Sequence, residues 1–200
     1  MNGFRRQEAV ISMARTMNES SRSAGLADPA QLVTFSSKVV GFALLLALSA
    51  KVSFPVPGTP VPATLQVMAL LATGAFLGPW GGLVSVTTYL LSGIAGAPVF
   101  AFGGGPAYLM GPTGGYLIGF LPAVYLAGLL AQRSRGFWSL FGAFVLSCMI
   151  IHLSGWAQLS ALGGPTAAFQ AGVLPFVFLD LLKAFLTAAF VQSVHSRGRR

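Results

Sequence analysis

The sequence predicts an all-α, polytopic membrane protein with six transmembrane helices. Of its 200 residues, 54% are hydrophobic and only 8% are charged, whereas an ordinary soluble domain carries roughly 25% charged residues. The four acidic residues are Glu8, Glu19, Asp28 and Asp180, so Asp180 is the one acidic side chain after residue 28. Lipid rather than water is therefore the expected main solvent.

The six predicted spans are the apolar stretches between clusters of Gly and Pro. A membrane helix needs about 20 mostly apolar residues. The second and fourth stretches are short for a full crossing, so they would borrow flanking residues or lie in a locally thinned bilayer. The spans are roughly Val33 to Phe54, Ala63 to Leu77, Leu83 to Phe102, Tyr116 to Ala131, Phe137 to Leu159 and Val173 to Val194.

The spans place a six-helix membrane domain at residues 32–196. Residues 1–31 are polar and Ser-rich and lack an apolar run of the length that a secretory signal needs. We interpret them as a cytosolic tail, expected to be disordered because of this composition. Residues 197–200 form a basic C-terminal end.

The basic residues indicate the orientation of the spans. Ten of the twelve Lys and Arg residues flank the side of the two termini, while Lys51 lies on the other side and Lys183 lies within the last span. Because cytoplasmic flanks carry the excess of Lys and Arg, both termini are expected to be cytoplasmic. The net charge of +8 is then a topology signal, and no nucleic-acid partner is predicted. The expected outer connections are Pro55 to Pro62, Gly103 to Gly115 and Ser154 to Gly172.

Asp180 and Lys183 are the strongest candidates for a binding site. They stand three residues apart in an otherwise apolar run, so they share one helix face. Ionisable groups deep in a membrane are costly unless paired, and they usually face a cavity or a functional path. The alternative is an ion pair that only fastens the last span to its neighbours.

Further candidates lie in and near the outer connections. The Gly-rich segment 102–116 can bring backbone groups close to a ligand and supplies Tyr108, Gly111, Thr113 and Tyr116; a tight extracellular turn is the other interpretation. Elsewhere the candidates are polar or aromatic side chains, each of which could instead serve helix packing: Thr64, Gln66, Tyr89 and Trp156.

Metal and cofactor chemistry is not predicted. The chain has one cysteine, Cys148, which lies in an apolar stretch and is expected to be a small buried hydrophobe. Its two histidines, His152 and His195, stand far apart. His152 alone, one turn from Trp156, is expected to be a neutral packing residue.

Several motifs together resemble the biotin-specific S components (BioY family) of energy-coupling factor transporters. These motifs are Pro55-Val56-Pro57, Pro62 to Gln66, Leu77-Gly78-Pro79, Gly111 to Phe120 and Asp180-x-x-Lys183. The resemblance covers about residues 39–194 and excludes the N-terminal tail.

The resemblance implies a non-enzymatic subunit that captures biotin from outside. It also implies a transmembrane coupling (T) subunit and cytosolic ABC ATPase subunits as partners, in a bacterial cytoplasmic (inner) membrane. The pair Ala43 and Ala47 on the first span would dock the coupling subunit; ordinary contact within the bundle is the other interpretation of their spacing. An S component for another vitamin, an intramembrane enzyme using Asp180 and Lys183, and a passive channel are the alternatives.

Overall fold

The computed structural model describes residues 6–8, 11–13 and 28–197. The chain divides into two compact units, Met1–Lys38 and Val39–Arg200. Most of the predicted N-terminal tail lies outside the described residues, as do residues 198–200 of the basic C-terminal end.

Long helices dominate the described part of the chain. Five of them are long and apolar enough to cross a membrane by length and composition: α1 (Pro29–Lys51), α2 (Gln66–Ile94), α4 (Gly114–Arg133), α5 (Phe137–Gly163) and α7 (Leu174–Arg197). The short elements are β1 (Ser53–Phe54), β2 (Ala63–Thr64), α3 (Ala107–Met110) and α6 (Pro165–Gly172). The helical membrane class predicted from composition is thus confirmed.

Helix α2 consists of two helical arms joined at Gly78, and the arms cover most of the second and third predicted spans. At Gly78 the backbone leaves the helical region, with φ 71° and ψ −178°. The Nε2 group of Gln66 donates a hydrogen bond of 2.7 Å to the hydroxyl of Tyr89, although 23 residues of straight helix would separate the two by about 34 Å. The chain therefore reverses direction at Gly78.

Glycines bring the hairpin close to α4. A Cβ atom at Gly74 would lie 2.8 Å from the carbonyl oxygen of Val124, and one at Gly82 would lie 2.9 Å from a methyl carbon of the same valine. Contacts this short exclude any larger side chain, so both arms of α2 pack directly on the backbone or side chains of α4.

The connections differ from their predicted outlines. The third predicted span was drawn to Phe102, but α2 ends at Ile94, where the sequence Ala-Gly-Ala-Pro follows. The connection predicted from Ser154 to Gly172 is largely helical, because α5 continues to Gly163 and α6 begins at Pro165. Gly164, with φ 87°, makes the break between them, a conformation that glycine adopts without strain.

Helix α1 turns its small residues inward within the unit Val39–Arg200. Ala43 is 8% exposed and packs in the core, and Ala47 is partly buried against the same core. The hydroxyl of Ser85, on α2, donates to the carbonyl of Val39, one turn earlier, at 2.9 Å. Ala43 and Ala47 thus contact their own bundle in this structure, since small side chains let α1 approach closely. The exposed residues of this part of α1 are Gly41 and four larger apolar residues, Val40, Leu44, Leu45 and Leu48.

Candidate functional site

A cavity opens inside the bundle at the end that carries β2 and α3. Its enclosed volume is about 60 Å³, which is smaller than the roughly 300–1,000 Å³ of typical small-molecule sites. Most of its wall is apolar, and its polar groups come from separate elements. Those polar lining residues are Thr64, Gln66, Tyr108, Thr113, Tyr116, His152, Asp180 and Lys183.

Asp180 and Lys183 lie together on α7 and both line the cavity. The Nζ group of Lys183 donates to Oδ1 of Asp180 at 2.8 Å, and the two side chains are only 12% and 7% exposed. The ammonium has two further N–H groups and the carboxylate has further lone pairs. The pair is thus mutually neutralised and still able to bind a polar ligand.

His152 contacts the other oxygen of the same carboxylate. Its Nε2 lies 3.1 Å from Oδ2 of Asp180, although the ring N–H is not aligned for a hydrogen bond and both ring nitrogens are buried without a hydrogen-bond partner in the described chain. The sequence predicts a packing role for His152, whereas the structure places it in the cavity wall. The sequence does contain a signal for this role. His152 is the sole histidine inside a predicted span, and Asp180 is the sole carboxylate inside another.

Gln66 and Thr64 form a second polar edge of the cavity. The hydroxyl of Thr64 donates to Oε1 of Gln66 at 3.2 Å and accepts from the Gln66 backbone N–H at 3.3 Å. The Gln66 amide N–H donates to Tyr89, as described above, so the amide is held at both ends. Because Gln66 is 5% exposed, these bonds fix its orientation before any ligand binds.

Tyr116 closes the cavity from α4 and is clamped by glycines. Its hydroxyl donates to the carbonyl of Gly172 at 2.7 Å, and its ring lies on Gly155, where an added Cβ would collide with the ring carbons. The two glycines leave the space that the phenol ring fills. Gly155 and Gly172 therefore position Tyr116 as an aromatic wall of the cavity.

The remaining wall comes from the connection between α2 and α3. Tyr108 packs on Phe100 with ring centroids 4.9 Å apart, and both residues line the cavity. The Nζ group of Lys51 donates to the carbonyl of Phe100 at 2.7 Å, which fastens this connection to the end of α1. Thr113, before α4, makes no side-chain hydrogen bond to the helix terminus, so its hydroxyl remains available to a ligand.

Seven of the ten predicted substrate-binding residues are thus brought together, and three lie elsewhere. Tyr89 stands behind the wall, 2% exposed and edge-on to Phe100. The carbonyl of Gly111 accepts from Nε2 of Gln158 at 2.6 Å, and Gly111 does not line the cavity. Trp156 lies on the outer side of α5, where its indole N–H donates to the carbonyl of Pro165 at 3.1 Å.

Metal binding finds no support in the described residues, which contain no group of three His, Cys, Asp or Glu side chains suited to hold a metal ion. Cys148 is buried and unpaired. The cavity therefore offers a carboxylate, an ammonium, an imidazole, an amide and hydroxyls to an uncharged or mixed polar and apolar molecule. Fold and site together define a helical membrane protein with a small-molecule binding cavity.

Comparison with known proteins names the family. The BioY family matches residues 21–200, and the chain belongs to that family. It is 42% identical over 149 residues to the "Probable biotin transporter BioY" of Pyrococcus horikoshii, which covers 74% of this chain and 88% of the relative. It is 38% identical, also over 149 residues, to the "Biotin transporter BioY" of Thermotoga maritima, covering 74% and 87%.

A solved structure has the same fold. It is described as the S-component for biotin from an ECF-type ABC transporter, and it aligns with a TM-score of 0.78 and 25% sequence identity over 85% of this chain and 95% of that one. The relatives are thus transporters and transport subunits, not enzymes.

Proposed function

We propose that this chain is the biotin-binding S component of an ECF-type importer. The observation that carries the proposal is the buried cluster of Asp180, Lys183 and His152 in the bundle cavity. Relatives over most of the chain are named as biotin transporters, and the matching structure is a biotin S component. The protein binds its ligand and leaves it chemically unchanged.

The cavity matches the two chemical characters of biotin. Biotin has a ureido ring with two N–H donors and one carbonyl acceptor, an apolar sulfur-containing ring, and a carboxylate on an alkyl chain. Asp180 accepts from ureido N–H, and Lys183 donates to the ureido oxygen. The apolar ring packs against Tyr108 and Tyr116. The carboxylate then faces the cavity mouth, since no second free cation lies deep in the described bundle.

Six membrane crossings and cytoplasmic termini follow from the same proposal. The reversal at Gly78 supplies the additional crossing within α2, and Gly78 lies beside Gln132 near the end of α4. Arg133 and Arg135 lie at that same end of the bundle, as the excess of basic residues on the cytoplasmic side requires. The cavity mouth, at the opposite end, then faces outside. This arrangement would sit in the cytoplasmic membrane of the cell.

Energy for uptake must come from partner subunits. The sequence contains no GxxxxGK[ST] nucleotide-binding motif, so we assign ATP hydrolysis to cytosolic ABC ATPases that act through a transmembrane T subunit. Ala43 is buried in this structure. A partner that docks on α1 of the isolated subunit therefore meets its exposed residues, Leu44 and Leu48.

Ligand binding by the purified chain tests this function. Radiolabelled biotin should bind saturably, and excess unlabelled biotin should displace it, whereas excess thiamine or riboflavin should not. Displacement by another vitamin but not by biotin would indicate a different S component. Chemical conversion of biotin would indicate an enzyme. If biotin did not bind saturably but crossed the membrane of liposomes that contain the protein, a channel would be indicated.

A further inference from the structure

His152 is a buried polar residue that ion pairing between Asp180 and Lys183 does not explain. Its ring lines the cavity, and Nε2 lies 3.1 Å from Asp180. Both ring nitrogens, Nδ1 and Nε2, are buried without a hydrogen-bond partner among the described residues. Buried polar atoms are nearly always satisfied, so an unsatisfied one in a binding cavity points to a group that arrives with the ligand.

The carboxylate of Asp180 favours one tautomer of His152. Nε2 is the ring nitrogen that lies 3.1 Å from Oδ2 of Asp180, so a proton on Nε2 faces a negative charge. With the proton in that position, Nδ1 keeps its lone pair as an acceptor.

We propose that His152 is a ligand-contacting residue whose Nδ1 accepts one of the two ureido N–H groups of biotin. Asp180 accepts the other N–H and Lys183 donates to the ureido oxygen. The three side chains then supply acceptor, donor and acceptor to a ring edge that presents donor, acceptor and donor. This inference rests on the proposed biotin function and deepens it, because it assigns each ureido group its own partner.

The assignment makes the site selective for cyclic ureas with both N–H groups intact. A site whose buried polar groups are matched to a ligand rejects an analogue that lacks one of them, since the unmatched group stays desolvated and unpaired. Without Nδ1, one of the two ureido N–H groups would lose the acceptor that this assignment gives it.

The test pairs His152 variants with modified ligands. The Kd values of biotin and of its two ureido N-methyl isomers are measured for the purified wild-type protein, H152L and H152Q. We expect H152L to bind biotin roughly ten- to a hundredfold more weakly, the loss associated with one or two hydrogen bonds in a desolvated site. In the wild type, each methyl group should weaken binding relative to biotin. In H152L this loss of affinity should largely disappear for one N-methyl isomer and remain for the other.

H152Q is the second variant, and it keeps the test valid if H152L does not fold. Its longer amide can still reach Asp180 from the Nε2 side but leaves the Nδ1 position without an acceptor. We expect H152Q to lose biotin affinity and to show the same isomer-specific relief as H152L. Equal methyl penalties for both isomers in the wild type and in every folded His152 variant would overturn the proposal, as would unchanged biotin affinity in both variants.

H195L is the matched control, because His195 bonds through Nδ1 to the carbonyl of Val191 at 2.9 Å and does not line this cavity. It should bind all three ligands as the wild type does. Failure of the wild type to bind biotin would instead overturn the proposed function itself, so the two failures are distinguishable.

Discussion

Tyr116 lies on Gly155 so closely that no side chain fits between the phenol ring of α4 and the backbone of α5. The same phenol donates to the carbonyl of Gly172. One aromatic residue thus joins α4, α5 and the end of α6, and it forms part of the cavity wall. Packing and ligand binding therefore depend on the same side chain.

Gly155→Ala should lower the stability of the protein in detergent, because the new methyl group must displace the ring of Tyr116. Overpacking of this kind costs about 1–3 kcal/mol, and thermal unfolding measures it. Gly142→Ala on the same helix is the control, since nothing lies within 4 Å of its added Cβ. An equal effect of the two substitutions would show that the ring does not confine Gly155.

Gly78→Ala should destabilise the hairpin of α2. The residue has φ 71° and ψ −178°, a region that is essentially restricted to glycine and costs other residues about 1–3 kcal/mol, and the added Cβ would lie 2.6 Å from Nε2 of Gln132. Gly41→Ala on α1 has open space around its Cβ and should leave the unfolding midpoint unchanged. A midpoint for Gly78→Ala equal to that of the wild type would argue against the reversal at this residue.

Asp180→Asn and Lys183→Ala should each weaken biotin binding by about 2–5 kcal/mol, a roughly thirtyfold to several-thousandfold rise in Kd. Each change leaves the other buried group without its charged partner. Isothermal titration on folded protein measures the effect, with Arg133→Gln, an exposed charge at the far end of α4, as the control. Unchanged affinity in a well-folded variant would return the pair to a purely structural role.

Ala107→Cys should react with an impermeant thiol reagent added outside cells in which Cys148 has been replaced by serine. Ala107 is exposed at the start of α3, on the side that we assign to the exterior. Arg135→Cys, exposed between α4 and α5, should react only after the membrane is opened. If Arg135→Cys reacted in intact cells and Ala107→Cys reacted only after the membrane is opened, the proposed topology would be inverted.

Ala43→Leu should destabilise the isolated subunit by about 1–3 kcal/mol, because Ala43 is 8% exposed in the core and extra methyl groups overpack it. Leu48→Ala is the control for the exposed side of α1, where Leu48 is 67% exposed. Suppose instead that Ala43→Leu kept full stability and biotin binding while the T subunit no longer co-purified. Ala43 would then be a docking residue, as the sequence resemblance implied.

The site shows how far sequence reasoning reaches. Asp180 and Lys183 could be predicted because a charged pair in an apolar run is conspicuous, and a spacing of three residues fixes their common helix face. Trp156 and Tyr89 were predicted on residue type alone, and the structure places both outside the cavity. In a helix that is apolar on all sides, hydropathy does not reveal which face points inward.

The sequence by itself determined that this is a membrane protein, that its elements are helices and that its charged pair shares one helix face, because composition and local spacing are enough for these. The tertiary structure decided what depends on how helices are rotated and crossed. It folded α2 back at Gly78, turned Ala43 inward, and brought His152 from α5 to the carboxylate of Asp180 on α7. These relationships join residues on separate helices, and close packing through small residues sets them.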